Sequence, residues 1–184
     1  VATLHKVGEG SKNSRYGFDK DTVIGPLPQI NSWRTNWVEF FAENRLLAMA
    51  RSCNNTSKID AALMGRIEAL ALKLPDLIPA TPHASLLHGD LWAGNMLIDG
   101  ERAAAFIDPA ISYGHREMDL AFIDLMGGLS PHFFQSYEAL YPIEADFHAE
   151  RKAIYQLWPL LVHTRLFGGG YASQVIQTLD RFGC

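Results

Sequence analysis

Three oxygen-bearing side chains stand at spacings that suit one kind of chemistry. Asp90 closes the run Leu86-Leu87-His88-Gly89-Asp90, Asn95 follows five positions later, and Asp108 ends the apolar run Ala105-Phe106-Ile107. Together they are a potential base, an amide oxygen and a second carboxylate. Phosphoryl transfer asks little covalent chemistry of a protein. It needs the nucleophile aligned with the terminal phosphate and the developing charge neutralised, mostly by metal ions. An Asp that takes the acceptor's proton, an Asn five residues on and a second Asp after the next hairpin would meet those needs. Hard oxygen ligands of this kind suit Mg²⁺, which keeps some of its waters and takes further oxygens from phosphates. The bland alternative makes Asp90 a loop cap and Asp108 a turn cap. Against it, a carboxylate closing an otherwise apolar strand is costly unless it binds something.

Elements with recognisable periods must position these groups. Ser85-Leu86-Leu87 reads as a short buried strand. Met96-Leu97-Ile98 and Ala104-Ala105-Phe106-Ile107 read as two more, joined by the tight-turn pair Asp99-Gly100. His88 to Asn95 is then a loop between strands, where reactive side chains commonly sit on a rigid scaffold. The rest of the chain reads as helical support. A helix is predicted from Trp33 to Arg51, with Asn36 and Glu39 as a capping-box pair. Trp33 and Trp37 either pack in a core or line a pocket, and helical spacing favours the core. Ile59, Leu63, Ile67, Leu70 and Leu74 form the apolar stripe of a second helix, which Pro75 is expected to stop. Pro109 to His115 reads as loop. Further helices are expected over Glu117 to Met126, Pro131 to Tyr141, Asp146 to Phe167 with a kink or split at Pro159, and Tyr171 to Phe182. Residues 7–32 read as a long glycine-bearing loop with an extended piece at Thr22-Val23-Ile24. Val1 to Lys6 reads as the tail of a helix that opens without an initiator Met.

Composition excludes several classes of function. With 184 residues, 48% hydrophobic and 20% charged, the chain is sized for one globular domain, 1–184. A net charge of −4 gives no electrostatic case for nucleic acid or an anionic membrane. No apolar run is long enough to span a bilayer, and no signal peptide is evident. Two cysteines, Cys53 and Cys184, without metal-type spacing read as free thiols in a reducing cytoplasm.

The stretch Leu87-His88-Gly89-Asp90-Leu91-Trp92-Ala93-Gly94-Asn95, then Ile107-Asp108-Pro109-Ala110, then Tyr113-Gly114-His115-Arg116-Glu117-Met118-Asp119-Leu120-Ala121 resembles the fructosamine kinase (ketosamine-3-kinase) family. That family stands with the aminoglycoside phosphotransferase and choline kinase group, which shares the protein-kinase-like fold. Trp92 and the Asp-Pro-Ala at 108–110 point to the fructosamine kinase branch. Tyr16-Gly17-Phe18, Phe40-Phe41, Pro75-Asp76-Leu77 and Tyr155-Gln156-Leu157 add to the resemblance. It implies Asp90 as catalytic base, Asn95 and Asp108 as Mg²⁺ ligands, ATP as phosphate donor and a ketosamine as acceptor, free or on protein. His88 braces the catalytic loop on both readings. Trp92 either stacks on the sugar or packs beneath the loop, and His115 is a candidate substrate contact. Glu117 and Asp119, at the start of a helix, read as caps favoured by its dipole. The resemblance instead makes Asp119 a support of the catalytic loop.

The expected fold class is α+β, mostly α-helical, the carboxy-terminal lobe of a protein-kinase-like fold with short β hairpins carrying the catalytic loop. The glycine-rich loop and phosphate-pairing Lys of an amino-terminal β lobe are not identifiable. Gly8-Glu9-Gly10-Ser11-Lys12 lacks a preceding strand and reads as loop. Three functions are therefore carried forward: a ketosamine 3-kinase, a related aminoglycoside- or choline-type phosphotransferase, and an inactive helical module that at most binds a partner or a lost lobe.

Overall fold

The computed structural model describes residues 1–7, 15–100, 102–127, 129–130 and 132–184. The glycine-bearing stretch Gly8 to Lys12 therefore lies outside the described residues, as do Gly128 and Pro131. The architecture is α+β, with eight α-helices and three two-stranded antiparallel sheets among the described residues. The described helices include none long and apolar enough to cross a membrane.

A short helix α1 (Ala2–His5) opens the chain, as its sequence suggests. The extended piece expected near Thr22 is one arm of a hairpin, β1 (Thr22–Ile24) against β2 (Leu27–Gln29). Gly25 turns it with φ +52°, a conformation open to glycine at little cost. The long helical segment starts at Trp37 rather than Trp33. Asn36 is extended and its side chain accepts from Glu39 N at 3.1 Å, which fixes the start. The segment comprises α2 (Trp37–Phe41), a π turn over Ala42–Leu47 and α3 (Ala48–Asn55). Trp37 is fully buried and its indole N–H donates to Tyr155 Oη at 3.0 Å. Trp33, left outside the helix, sits under the Arg15 guanidinium, 4.9 Å from its ring centroid.

Helix α4 (Ala61–Leu77) carries Leu63, Ile67, Leu70 and Leu74 of the predicted stripe, with Ile59 lying before its Asp60 cap, and it runs through Pro75. Only the last turn lies beyond that proline, and Ile78 N closes it on Leu74 O at 3.0 Å, so little helix is there to be lost. Helix α7 (Lys152–Phe167) follows a π turn at Phe147–Arg151 and likewise continues through Pro159. Ile154, Tyr155, Leu157, Trp158, Leu160 and Leu161 are all within 3% of full burial. Packing on nearly every side of this helix outweighs the ~3 kcal/mol that an interior proline costs. Helices α5 (Glu117–Met126), α6 (His132–Leu140) and α8 (Gly170–Arg181) complete the support, with Gly127 ending α5 at φ +67°.

The two sheets around the site are β3 (Ala84–Leu87) against β6 (Ser112–His115), and β4 (Met96–Asp99) against β5 (Arg102–Phe106). The β4–β5 hairpin is the predicted one. Strand β6 corrects the reading of Pro109 to His115 as loop. Ser112 and Gly114 look like turn residues, yet the pairing Ser85↔Gly114 and Leu87↔Ser112 draws them into a sheet. Gly114 is small for a packing reason: a Cβ there would lie 2.8 Å from a Leu87 methyl and 3.0 Å from the Trp37 ring. Gly114→Ala is expected to lower stability by about 1–3 kcal/mol through overpacking, read as a lower urea midpoint at unchanged slope.

Candidate active site

Strand β3 delivers the chain into the loop His88-Gly89-Asp90. Gly89 takes φ +80°, and a Cβ there would fall 2.1 Å from Ala110 O, so only glycine fits. The loop is held from below. Asp119, in the first turn of α5 and fully buried, accepts from His88 N and Gly89 N, each at 2.8 Å. Asp119 is thus a tertiary clamp on the loop and not a cap of its own helix. Glu117 is no cap either. Its fully buried carboxylate pairs with Arg151 through two hydrogen bonds of 2.7 Å. Burial raises the Glu117 carboxyl above its ordinary range while Arg151 opposes the shift.

His88 joins the two strand systems. Asp90 N donates to His88 Nδ1 at 3.3 Å, so that nitrogen is the acceptor. Nε2 then carries the hydrogen and donates to Ile107 O at 3.0 Å, the residue before Asp108. One imidazole therefore ties the loop bearing Asp90 to the strand end bearing Asp108.

Asn95 is buried at the end of a 3₁₀ turn, Ala93–Asn95. Its Nδ2 donates to Asp90 O at 2.8 Å and to Asp90 Oδ2 at 2.9 Å. A backbone carbonyl can only accept, so the amide orientation is settled and Asn95 Oδ1 faces away from Asp90. Burial raises the Asp90 carboxyl from its ordinary value, and the Asn95 hydrogen bond partly offsets the shift. The result is a carboxylate with one oxygen pinned and a heightened affinity for a proton. Asp108 is exposed, sits at φ +52° and has no hydrogen-bond or ion-pair partner among the described residues.

Asp90, Trp92, Asn95 and Asp108 line one cleft of about 530 Å³, with Val23, Gly25 and Pro109 completing its wall. The Trp92 ring folds back over its own loop, where a Cβ at residue 94 would lie 2.2 Å from the ring. Loop packing and a place in the cleft wall are both true of it. His115 is the correction in this set. It is buried, its Nδ1 meets Tyr155 Oη at 2.8 Å, and it does not line the cleft. Strand pairing with Ala84 turns its side chain into the core, where burial holds the imidazole well below its usual pKa. Val23 and Gly25 escaped the sequence reading. The Gly25-Pro26 turn between two apolar pairs signals the hairpin. Its seat at the cleft depends on Gln29 Nε2 donating to Ala110 O at 2.9 Å, a contact across 81 positions.

A family model described as fructosamine kinase matches residues 1–182. The chain belongs to the fructosamine kinase family. It is 39% identical over 188 residues to the ketosamine-3-kinase of Mus musculus, a match covering 97% of this chain and 58% of that protein. It is 35% identical over 185 residues to the chloroplastic protein-ribulosamine 3-kinase of Arabidopsis thaliana, covering 99% and 55%. A solved structure of a fructosamine-3-kinase-like protein from Thermobifida fusca superimposes with a TM-score of 0.86 at 35% identity, covering 97% of this chain and 60% of that one. The chain thus spans about three fifths of the length of the fructosamine kinase relatives it matches.

Proposed function

We propose that this chain carries the base and the cation ligands of an ATP-dependent kinase that phosphorylates the sugar 3-hydroxyl of ketosamines, free or on protein lysines. The observation that carries the reading is the arrangement at Asp90. Its carboxylate is partly desolvated, one oxygen is held by the Asn95 amide, and it shares a cleft with Asp108, which has no partner among the described residues. The names of the relatives favour a ketosamine over other acceptors.

In this reading Asp90 orients the acceptor hydroxyl and takes its proton as the phosphoryl group is transferred. Asn95, fixed by its own two hydrogen bonds, presents Oδ1, and Asp108 presents a free carboxylate. Two hard oxygen donors fit a Mg²⁺ that draws its remaining ligands from water and phosphate oxygens. Bound Mg-ATP supplies the phosphoryl group and neutralises the charge that develops on it. Trp92, Val23 and Gly25 wall the cleft in which the acceptor hydroxyl would be placed. The 184 residues act as one domain, the carboxy-terminal lobe of the kinase, and a partner amino-terminal lobe completes the nucleotide's cleft. Sugar 3-phosphates of ketosamines are labile, so the outcome is removal of the sugar from the amine, a deglycation. Free thiols at Cys53 and Cys184 are consistent with work in a reducing cytoplasm.

The test is turnover of fructosyl-lysine by the full reading frame that contains these residues, with the phosphate located on the sugar by NMR. An aminoglycoside and choline serve as competing acceptors. Phosphorylation of either competitor, with none of fructosyl-lysine, rejects the reading. Asp108→Asn is expected to raise the Mg²⁺ concentration for half-maximal rate by about tenfold or more, measured by titrating Mg²⁺ at fixed ATP.

A further inference from the structure

Asp119 takes a third hydrogen bond, on the same Oδ2 that receives His88 N. The donor is His5 Nε2 at 3.0 Å, 114 positions upstream in α1. The other ring nitrogen of His5, Nδ1, lies 2.8 Å from Tyr137 Oη on α6. His5, Asp119 and Tyr137 are each buried to 2% exposure or less. Burial pushes the Tyr137 phenol up to about 12, so it carries its hydrogen at neutral pH. Tyr137 Oη also accepts from Arg116 Nη1 at 3.3 Å, and Arg116 is itself held by Tyr141 O at 3.2 Å and by Pro142 O. Only one directional assignment satisfies every atom: Arg116 donates to Tyr137, Tyr137 O–H donates to His5 Nδ1, and His5 Nε2–H donates to Asp119. The direction ends on the carboxylate that holds the Asp90 loop.

That carboxylate grips two successive backbone N–H groups with its two oxygens. Rotation about its Cβ–Cγ bond would break both grips together, and the His5 bond at Oδ2 resists that rotation. We propose that His5 and Tyr137 are positioning residues for Asp90, acting through Asp119 and touching no reacting atom. The proposal rests on the kinase reading above for its effect on rate, but its structural half stands apart from it.

The experiment compares His5→Phe, which keeps a ring and loses both hydrogen bonds, with His5→Gln, which can donate to Asp119 and accept from Tyr137. Both are made in the full reading frame. H5F is expected to lower kcat by about 10- to 100-fold with KM for both substrates within about twofold, and H5Q to recover most of the loss. Hydrogen exchange should show faster amides at His88 and Gly89 in H5F and not in H5Q, with the α7 amides unchanged. Wild-type kcat and protection in H5F overturn the proposal, as does a change confined to KM. Should H5F fail to fold, Tyr137→Phe decides the matter: lower kcat with faster exchange at the same two amides supports the relay, and wild-type behaviour rejects it. If the unaltered protein phosphorylates no ketosamine, the kinase reading fails while the exchange comparison still judges the positioning.

Discussion

Asp90→Asn is expected to lower kcat by about 10²- to 10⁴-fold, the range a positioned general base contributes. An Asn at 90 can still accept from Asn95 Nδ2 and so keeps the loop's shape while losing the base. The KM for ATP should change little, because the residues assigned to the cation are untouched. The same substitution should stabilise the metal-free protein at neutral pH. Burial raises the folded carboxyl above its unfolded value, so its favourable contribution is full below the unfolded pKa and is lost as pH rises through the folded one. At pH 7 the ionised group is a net cost that Asn does not carry. Calorimetry should therefore find a higher Tm for D90N at pH 7 and a shrinking difference as pH falls into the carboxylate range. Wild-type turnover in D90N would reject Asp90 as the base.

Asp119→Ala is expected to give a large loss of stability. It removes the acceptor from the buried His88 N, from the half-buried Gly89 N and from His5 Nε2. A buried donor left unsatisfied costs about 1–3 kcal/mol, and the half-buried Gly89 N costs less because water can reach it, so the two backbone groups alone predict a loss of about 2–5 kcal/mol. For a chain of this size that is a fall in Tm of very roughly 5–20 °C, measurable by thermal denaturation. Asp119→Asn, which keeps one acceptor oxygen, should lose less. A change below about 1 kcal/mol in D119A would show that the loop is held by other contacts.

Local features of the chain were legible wherever they depended on neighbours in sequence. The β4–β5 hairpin follows from Asp99-Gly100 and the α4 stripe from its spacing, while Asn36 was readable as a cap although the helix was expected to begin at Trp33 and begins at Trp37. What escaped was decided by distant partners. Strand β6 exists because β3 pairs with it, and Pro75 and Pro159 are accommodated by a late position and by core packing. Asp119 and Glu117 look alike as acidic residues in a first turn. Only the tertiary contacts reveal one as a clamp and the other as half of a buried ion pair. His115 was misplaced for the same reason, since its neighbours in sequence are polar and its neighbours in space are Tyr155 and Trp37. Asp90, Asn95 and Asp108 were readable because their spacing along the chain tracks the loop and hairpin that gather them at one cleft.

Asp108 occupies the left-handed region at φ +52°, with no hydrogen bond among the described residues to ease it there. A side chain in that region costs on the order of 1 kcal/mol that glycine would not. Folding alone therefore favours replacing this residue, and the cation-binding role proposed for it is what would retain it. In a lineage where turnover ceased to matter, position 108 should be among the first in the cleft to drift, with glycine the preferred successor. The residue found there in any descendant copy is then a record of whether selection still acts on the reaction.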